Sequence, residues 1–249
     1  RQMCIRDRYY SYKSGHKPIF KGSEDFVGQI IHPQEWNSSI DYENKKVAVI
    51  GSGATAVTLI PEIAKKASHV TMIQRSPTYI ASAPSKYKIL HLLNYISPKL
   101  GYKIIRFTNI LRQRRIYRRA IRSPELVKNY LLDLVRDELP GFDIEKHFTP
   151  TYNPWEQRLC LAPDSDFFES INQKRVSVET ETIDSSSEKG VQLDSGKLIE
   201  ADIIVTATGI KLQNFGGIRI FVDEKEIDIS KSFIYKSCLL YTSPSPRDS

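Results

Sequence analysis

The sequence predicts an α/β fold built on a parallel sheet and interrupted by a block of helices. Three observations predict it. The run KKVAVIGSGATAVTLIPEIAKKASHVTMIQR sets an apolar strand, a glycine turn, a helical period and a second apolar strand within about 30 residues, which is a β-α-β unit. Residues 86–147 then show helical periodicity with no strand signal. After residue 174 strand patterns return, ending on ADIIVTATG, whose unbroken apolar run suits a strand covered on both faces.

The elements follow in order. Val47 to Ile50 form the first strand of the unit. The helix after it spans TAVTLIPEIAKKA, and Pro61 inside it, lacking an N–H, is expected to kink it or to mark an irregular first turn. HVTMIQR, residues 69–75, is the second strand. KILHLLNYI, YKIIRFTNILRQRRIYRRAI and PELVKNYLLDLVRDEL read as helices. FDIEKHFTPTYNPWEQRLCLAP reads as loop, punctuated by Pro150, Pro154 and Pro163. DFFESINQ reads as a short helix, RVSVETETI as a strand, and VQL-DSG-KLIEA as a hairpin turning on Gly196. RQMCIRDR at the start and CLLYTSPSPRDS at the finish show neither apolar period nor caps. Residues 1–8 and 238–249 are therefore expected to be non-native or disordered ends, and the rest an interior piece of a longer protein.

Composition narrows the function classes. The 249 residues are 40% hydrophobic and 26% charged, an ordinary globular balance. No apolar run nears the roughly 20 residues of a membrane span, and the charged opening does not read as a secretory leader. Cys4, Cys160 and Cys238 are scattered, with no C-x-x-C and no His at ligand spacing. No metal site and no disulfide framework are expected, and a reducing cytoplasm fits. The net charge of +7 is local: residues 86–122 hold 11 of the 36 bases and no acid, so the remaining 25 bases face 29 acids. That basic segment suggests nucleic acid, an anionic membrane surface or a solvated helix face. The solvated face is preferred, nucleic acid is set aside, and peripheral membrane contact stays open. Tyr102, Phe107 and Tyr117 lie near helical spacing and are expected in the core. His91 and His147 have no partner at ligand spacing and are read as structural or exposed.

The glycine turn carries the first chemistry. GSGATA, residues 51–56, fits G-x-G-x-x-A. Gly51 permits the tight turn, Gly53 lets backbone approach a pyrophosphate, and Ala56 keeps the helix close to the strand. The N–H groups of the first turn, from Ser52 through Ala54 and Thr55, face the phosphates with the positive end of the helix dipole. This is a Rossmann-like dinucleotide site. The end of the next strand selects the nucleotide: an NAD site usually has Asp or Glu there, whereas this chain has Gln74 and Arg75. A guanidinium pairs with a 2′-phosphate through two hydrogen bonds, and Ser76 adds a hydroxyl, so NADPH is expected rather than NADH.

Ahead of this unit stands FVGQIIHPQEW, in which Phe26, Gly28, His32 and Trp36 are spaced F-x-G-x-x-x-H-x-x-x-W. This resembles the fingerprint of class B flavin monooxygenases of the Baeyer–Villiger type, with Asn37 a departure from the Pro or Asp that often follows. GSEDFVGQIIHPQEW, KKVAVIGSGATAVTLIPEIA, HVTMIQRSPTYI, HFTPTYNPWEQRLCL and ADIIVTATG are similar to the ethionamide-activating group of that family, across most of residues 9–236. The resemblance implies a two-dinucleotide-binding flavoprotein that uses FAD, NADPH and O2 to form a C4a-peroxyflavin. That oxidant inserts one oxygen atom into a ketone or oxidises a sulfide or thioamide.

The resemblance also implies site residues and boundaries. His32 lies on the linker between the two nucleotide domains and couples cofactor movement to oxygenation, although the residues alone read equally well as a His–Trp hinge. Arg158 is the active-site cation beside the flavin, favouring the anionic oxidant and its adduct because it keeps its proton at working pH. Gln157 stands where many relatives have a Lys that reaches the NADPH phosphate, which shifts phosphate pairing towards Arg75. Residues 9–45 become the end of an FAD domain with its linker, 46–85 and 148–183 the NADPH domain, 86–147 a helical insertion and 184–237 the return to the FAD domain. No G-x-G-x-x-G precedes residue 51, so the FAD domain is incomplete, and the chain is expected to bind FAD poorly and to be inactive alone. Alternatives are an N- or S-oxygenating flavin monooxygenase and a non-enzymatic nucleotide-binding or membrane-surface module. A disulfide reductase lacks its cysteine pair here.

Overall fold

A computed structural model describes residues 10–85, 97–213, 219, 221–222, 224–226, 234–235 and 238–239. The chain divides into two compact units, His16–Gly209 and a smaller one made of residues 1–15 and 210–249. In the smaller unit β1 (Tyr10–Gly15) pairs antiparallel with a short strand, Ile210–Leu212. Beyond it Phe221–Val222 pairs with Lys225–Glu226, and Ile234–Tyr235 with Cys238–Leu239. The disordered end expected from residue 238 thus begins with a paired dipeptide, and residues 1–8 and 240–249 lie outside the described residues.

The larger unit is organised by five parallel strands. These are β2 (Gln29–Ile31), β3 (Lys46–Ile50), β4 (His69–Gln74), then, after a pair introduced below, β7 (Val176–Thr180) and β11 (Ile203–Thr206), in the order β2-β11-β3-β4-β7. Alternate residues feed two different cores, as a period of two requires. Val47, Val49, Val70, Met72, Ile203 and Val205 face one cluster with the helices α1 (Ala54–Ile63) and α5 (Asp166–Asn172). Ala48, Ile50, Ile73 and Ile204 face the other, against Val191, Leu193 and Ile199 of an antiparallel sheet formed by β8 (Ile183–Ser187), β9 (Gly190–Leu193) and β10 (Leu198–Glu200). Each such side chain contributes about 1.5–3 kcal/mol when fully buried. Phe148, Phe167 and Phe168 fill the helix side edge to face, with centroids 5.6–6.4 Å apart.

Two short strands, β5 (Tyr79–Ala83) and β6 (Leu159–Pro163), pair in parallel and form the stem from which the helices grow. Ser97 caps α2 (Pro98–Arg122), and α3 (Pro124–Glu138) follows at once, with Val127 and Leu131 packed on Tyr79 and Ala81. Asp143 caps the short α4 (Ile144–Phe148) by accepting from the Lys146 N–H. The helix expected over KILHLLNYI lies outside the described residues.

Several expectations change. The helix α1, expected to reach Ala67, stops at Ile63, and Pro61 lies buried inside it. RVSVETETI divides at Glu181 and Thr182, where the chain leaves the parallel sheet for the antiparallel one. Residues 184–209, assigned by the resemblance to the return to the FAD domain, lie in the same compact unit as the glycine loop, with β11 between β2 and β3. Residues 16–45 lie in that compact unit as well, joined to it by edge strand β2. Tyr102, Phe107 and Tyr117 are 60%, 62% and 49% exposed, since α2 buries only Gly101 and Ala120.

Gly28 marks where β2 docks: a Cβ there runs into the Asp202 carbonyl oxygen and the Phe26 ring. Gly28→Ala is expected to destabilise the unit by about 2 kcal/mol or more, as overpacking does. A shift in the urea midpoint of unfolding checks it, with Gly53→Ala, whose Cβ meets nothing within 4 Å, as the silent control.

Candidate functional site

The five parallel strands deliver their following loops to one edge of the sheet. At its centre Gly51 turns the chain with φ +125°, its N–H donating to the Ile73 carbonyl at 2.8 Å. A Cβ on Gly51 would lie 2.5 Å from the Ala207 oxygen, so the glycine is required by backbone angle and by space. Gly53 caps α1 in an extended conformation without any side-chain cap, and the space before it is open. The first intrahelical bond is Val57 N–H to Gly53 carbonyl, which leaves the N–H groups of Ala54, Thr55 and Ala56 unused. Ala54 and Thr55 are exposed, while Ala56 is fully buried against the strand, as its place in the motif requires. No acid occupies the first turn. The end of the helix is therefore a positive, donor-rich opening.

Ser52 is a different case. Its hydroxyl shares a 2.8 Å hydrogen bond with the Thr78 hydroxyl, and both residues are buried. Its carbonyl accepts from the Cys160 thiol at 3.7 Å. The Ser52 side chain is committed to the protein, which leaves its backbone for a ligand.

At the end of β4, Gln74 is 1% exposed. Its amide donates to the His147 carbonyl at 2.7 Å and to Thr180 Oγ1 at 2.9 Å, which leaves the Thr180 hydroxyl proton for His147 Nδ1 at 2.8 Å. Burial pushes the His147 imidazole below its ordinary pKa. The next two residues, Arg75 and Ser76, are exposed, and Arg75 joins no salt bridge among the described residues. An unpaired guanidinium therefore follows the strand that neighbours β3.

The spaced Phe, Gly, His and Trp close the other side of this edge. Phe26 is buried in the second core. His32 is 3% exposed; its Nδ1 accepts from the Gln34 N–H at 3.2 Å, so Nε2 carries the proton it donates to the Gly209 carbonyl at 3.0 Å. The His16 N–H shares that carbonyl at 3.0 Å. Trp36 meets Tyr42 edge-on at 5.5 Å and packs on the first core. With both ring nitrogens engaged, His32 is a strut between the end of β2 and the end of β11, where Gly209 takes φ +101°.

Arg158 and Gln157 are exposed on the loop before β6. The loop is fixed from beneath: the Tyr79 hydroxyl donates to the Tyr152 carbonyl at 2.8 Å, and the Tyr152 hydroxyl to the Arg158 carbonyl at 2.9 Å. Burial pushes the Tyr79 phenol up to about 12. The Glu156 carboxylate accepts from the Asn153 N–H and side-chain amide, which lowers its pKa. Two residues beyond Arg158, Cys160 reaches the glycine loop through Ser52. Thr78, Tyr79, Tyr152 and Thr180 carry no pattern that marks them in the sequence. Among the described residues no cluster of His, Cys, Asp or Glu has metal-binding geometry, and no helix is long and apolar enough to cross a membrane.

A model of flavin-binding monooxygenase-like proteins matches residues 7–119. Over 240 residues, 95% of this chain and 49% of the relative, the sequence is 47% identical to the FAD-containing monooxygenase EthA of Mycobacterium tuberculosis. Over 239 residues, 95% and 48%, it is 46% identical to the probable FAD-binding monooxygenase AlmA of Acinetobacter baylyi. The chain thus spans about half the length of the curated relatives it matches. Cyclohexanone monooxygenase with epsilon-caprolactone bound has the same fold over 84% of this chain and 48% of its own, with a TM-score of 0.64 at 19% identity. Oxidised steroid monooxygenase bound to NADP matches over 82% and 46%, with a TM-score of 0.63 at 19% identity.

The buried His147 generates a pH prediction. Its folded pKa lies below the ordinary 6.5, so the unfolded chain takes up the proton first as pH falls. Stability is expected to be full above about pH 6.5 and to decline below it. Urea midpoints at pH 7.5 and 5.5 check this, and His147→Asn, which keeps an acceptor but no titrating group, is expected to shrink the difference.

Proposed function

The chain belongs to the flavin-binding monooxygenase-like family, and from that premise we propose that it builds the NADPH-binding part of an FAD-dependent monooxygenase acting on a ketone, sulfide or thioamide with O2. The observation that carries the reading is the free Arg75 guanidinium following the strand beside an open, uncapped glycine loop. The residues fit the nucleotide. The N–H groups of the exposed Ala54 and Thr55 donate to the pyrophosphate, and Gly53 lets it come close. Arg75 takes the 2′-phosphate through its planar fork, with Ser76 alongside. When bound, NADPH supplies a hydride. Gln157 brings no charge, so nothing duplicates Arg75 at that position.

For FAD the fit is different. The sequence contains one G-x-G-x-x-A loop and the NADPH reading uses it, so the residues that grip the FAD pyrophosphate are assigned to the remainder of the whole protein. In that whole protein Arg158 is the cation that favours negative charge developing on the substrate oxygen, since its guanidinium does not titrate at working pH. His32 is assigned to hold the linker of the whole protein, and its bond to the Gly209 carbonyl supports that assignment.

Calorimetric titration of the chain with NADP+ and NAD+ tests the nucleotide assignment. NADP+ is expected to bind tighter, and Arg75→Gln to reduce that preference about 10- to 100-fold, the equivalent of roughly 1.5–3 kcal/mol for hydrogen bonds to a charged group. Equal affinity for both nucleotides in the unsubstituted chain overturns the reading. The purified chain is expected to be colourless; flavin absorbance that NADPH bleaches removes the division of labour. In the whole protein, Arg158→Ala is expected to lower kcat for oxygenation about 100-fold or more while NADP+ affinity is kept.

A further inference from the structure

The helix α2 has no use in the nucleotide site, yet its surface is unusual. Leu100, Ile104 and Phe107, at i, i+4 and i+7, are 51%, 39% and 62% exposed and form a stripe on the side opposite the buried Ala120. Arg114, Arg118 and Arg122 extend the same side of the helix, and Ile121 beside them is 62% exposed. The helix contains no Asp or Glu, so no i,i+4 ion pair can form along it. Arg114 with Arg118, Arg115 with Arg119 and Arg118 with Arg122 are instead like charges one turn apart, which is destabilising in water. Arg114, Arg115, Arg118 and Arg122 join no salt bridge among the described residues.

A surface that presents large aliphatic and aromatic groups together with unopposed cations fits one environment well. We propose that this face of α2 docks on an anionic lipid surface, lying in the plane of the headgroups. Lipid phosphates relieve the arginine repulsion, while Leu100, Ile104, Phe107 and Ile121 leave water for the acyl boundary. A nucleic acid would answer the charges but give the aliphatic groups no apolar phase. The helix lies in the plane and does not span, since its hydropathy is too low to cross. The inference is independent of what the glycine loop binds.

Vesicle flotation of the full 249-residue chain tests it. The chain is expected to float with vesicles containing phosphatidylglycerol and not with pure phosphatidylcholine, and to lose about tenfold or more of its partitioning between 0.1 and 0.5 M NaCl. Arg114→Gln/Arg118→Gln/Arg122→Gln is expected to weaken partitioning on the order of 100-fold. Ile104→Ser/Phe107→Ser is expected to weaken it as well, with far-UV circular dichroism unchanged because every altered side chain is exposed. Any of four results overturns the proposal. The first is no flotation, and the second is equal flotation with neutral vesicles. The third is loss in the arginine variant alone, with an oligonucleotide competing as well as lipid. The fourth is a vesicle-free dimer, seen by sedimentation equilibrium, that Ile104→Ser/Phe107→Ser dissolves. Should a variant lose its helical signal, the lipid and salt dependence of the unsubstituted chain still decides.

Discussion

The site depends on one close approach, that of the Ala207 carbonyl to Gly51. The oxygen sits where a side chain on residue 51 would begin, and the backbone there takes an angle that side chains disfavour. Because of this, β3 and β11 remain paired to their last residues, with Thr206 opposite Ile50. The chain then turns sharply enough for α1 to start at the sheet edge with its first N–H groups outward. A helix beginning one residue later, or from a wider turn, would bury those donors against β11. The anion-accepting end of the helix is thus a consequence of strand packing, and the pyrophosphate chemistry follows from it.

The loops around that edge are fixed by hydrogen bonds hidden beneath them. Ser52 and Thr78 pair their hydroxyls away from water, where losing one partner strands the other. Cys160 contacts the Ser52 carbonyl, and through Tyr79 and Tyr152 the same stem holds the backbone of Arg158. The glycine loop and the arginine loop are therefore two outlets of one buried network. His32 plays the matching part on the opposite side, tying the end of β2 to Gly209. Its spacing to Gly28 and Trp36 serves docking: the glycine lets β2 approach Asp202, the histidine ties the strand end, and the tryptophan anchors the turn that follows.

Much of this was legible beforehand, for identifiable reasons. Val47–Ile50 and the strand at 203–206 are apolar without alternation because both faces are covered, and that pattern survives any neighbour. Gly51, Gly53 and Ala56 are dictated by local geometry, so their positions were readable in order. The parallel pairing of Tyr79–Ala83 with Leu159–Pro163 was not, since the partners stand 80 residues apart and contain Ser, Ala and Pro where a strand signal needs branched or aromatic residues. Sequence shows that Gln74 and Ser52 stand beside the predicted nucleotide site but not what their side chains do. Only the fold reveals that the Gln74 amide donates to His147 and Thr180 and that the Ser52 hydroxyl pairs with Thr78. The apolar period of α2 suggested a core that the fold does not supply, because periodicity tells which residues share a face and not what covers it.

The distribution of ion pairs explains why these cations are free to bind. Most salt bridges among the described residues, such as Lys46 with Glu200 and Arg136 with Glu145, join exposed side chains, where water and salt screen them. The stability of the larger unit therefore resides in its two apolar clusters and its buried hydroxyl and imidazole networks, and surface cations are dispensable to it. A cation left unpaired beside a glycine loop, as Arg75 is, costs the fold little and keeps its full charge for a ligand. The same reasoning separates α2 from an ordinary solvated helix. Ordinary helices lower their surface energy with Glu–Lys pairs, and α2 forgoes them along its whole length while also exposing Leu100 and Phe107. A fold that needs nothing from those side chains leaves them to what lies outside it.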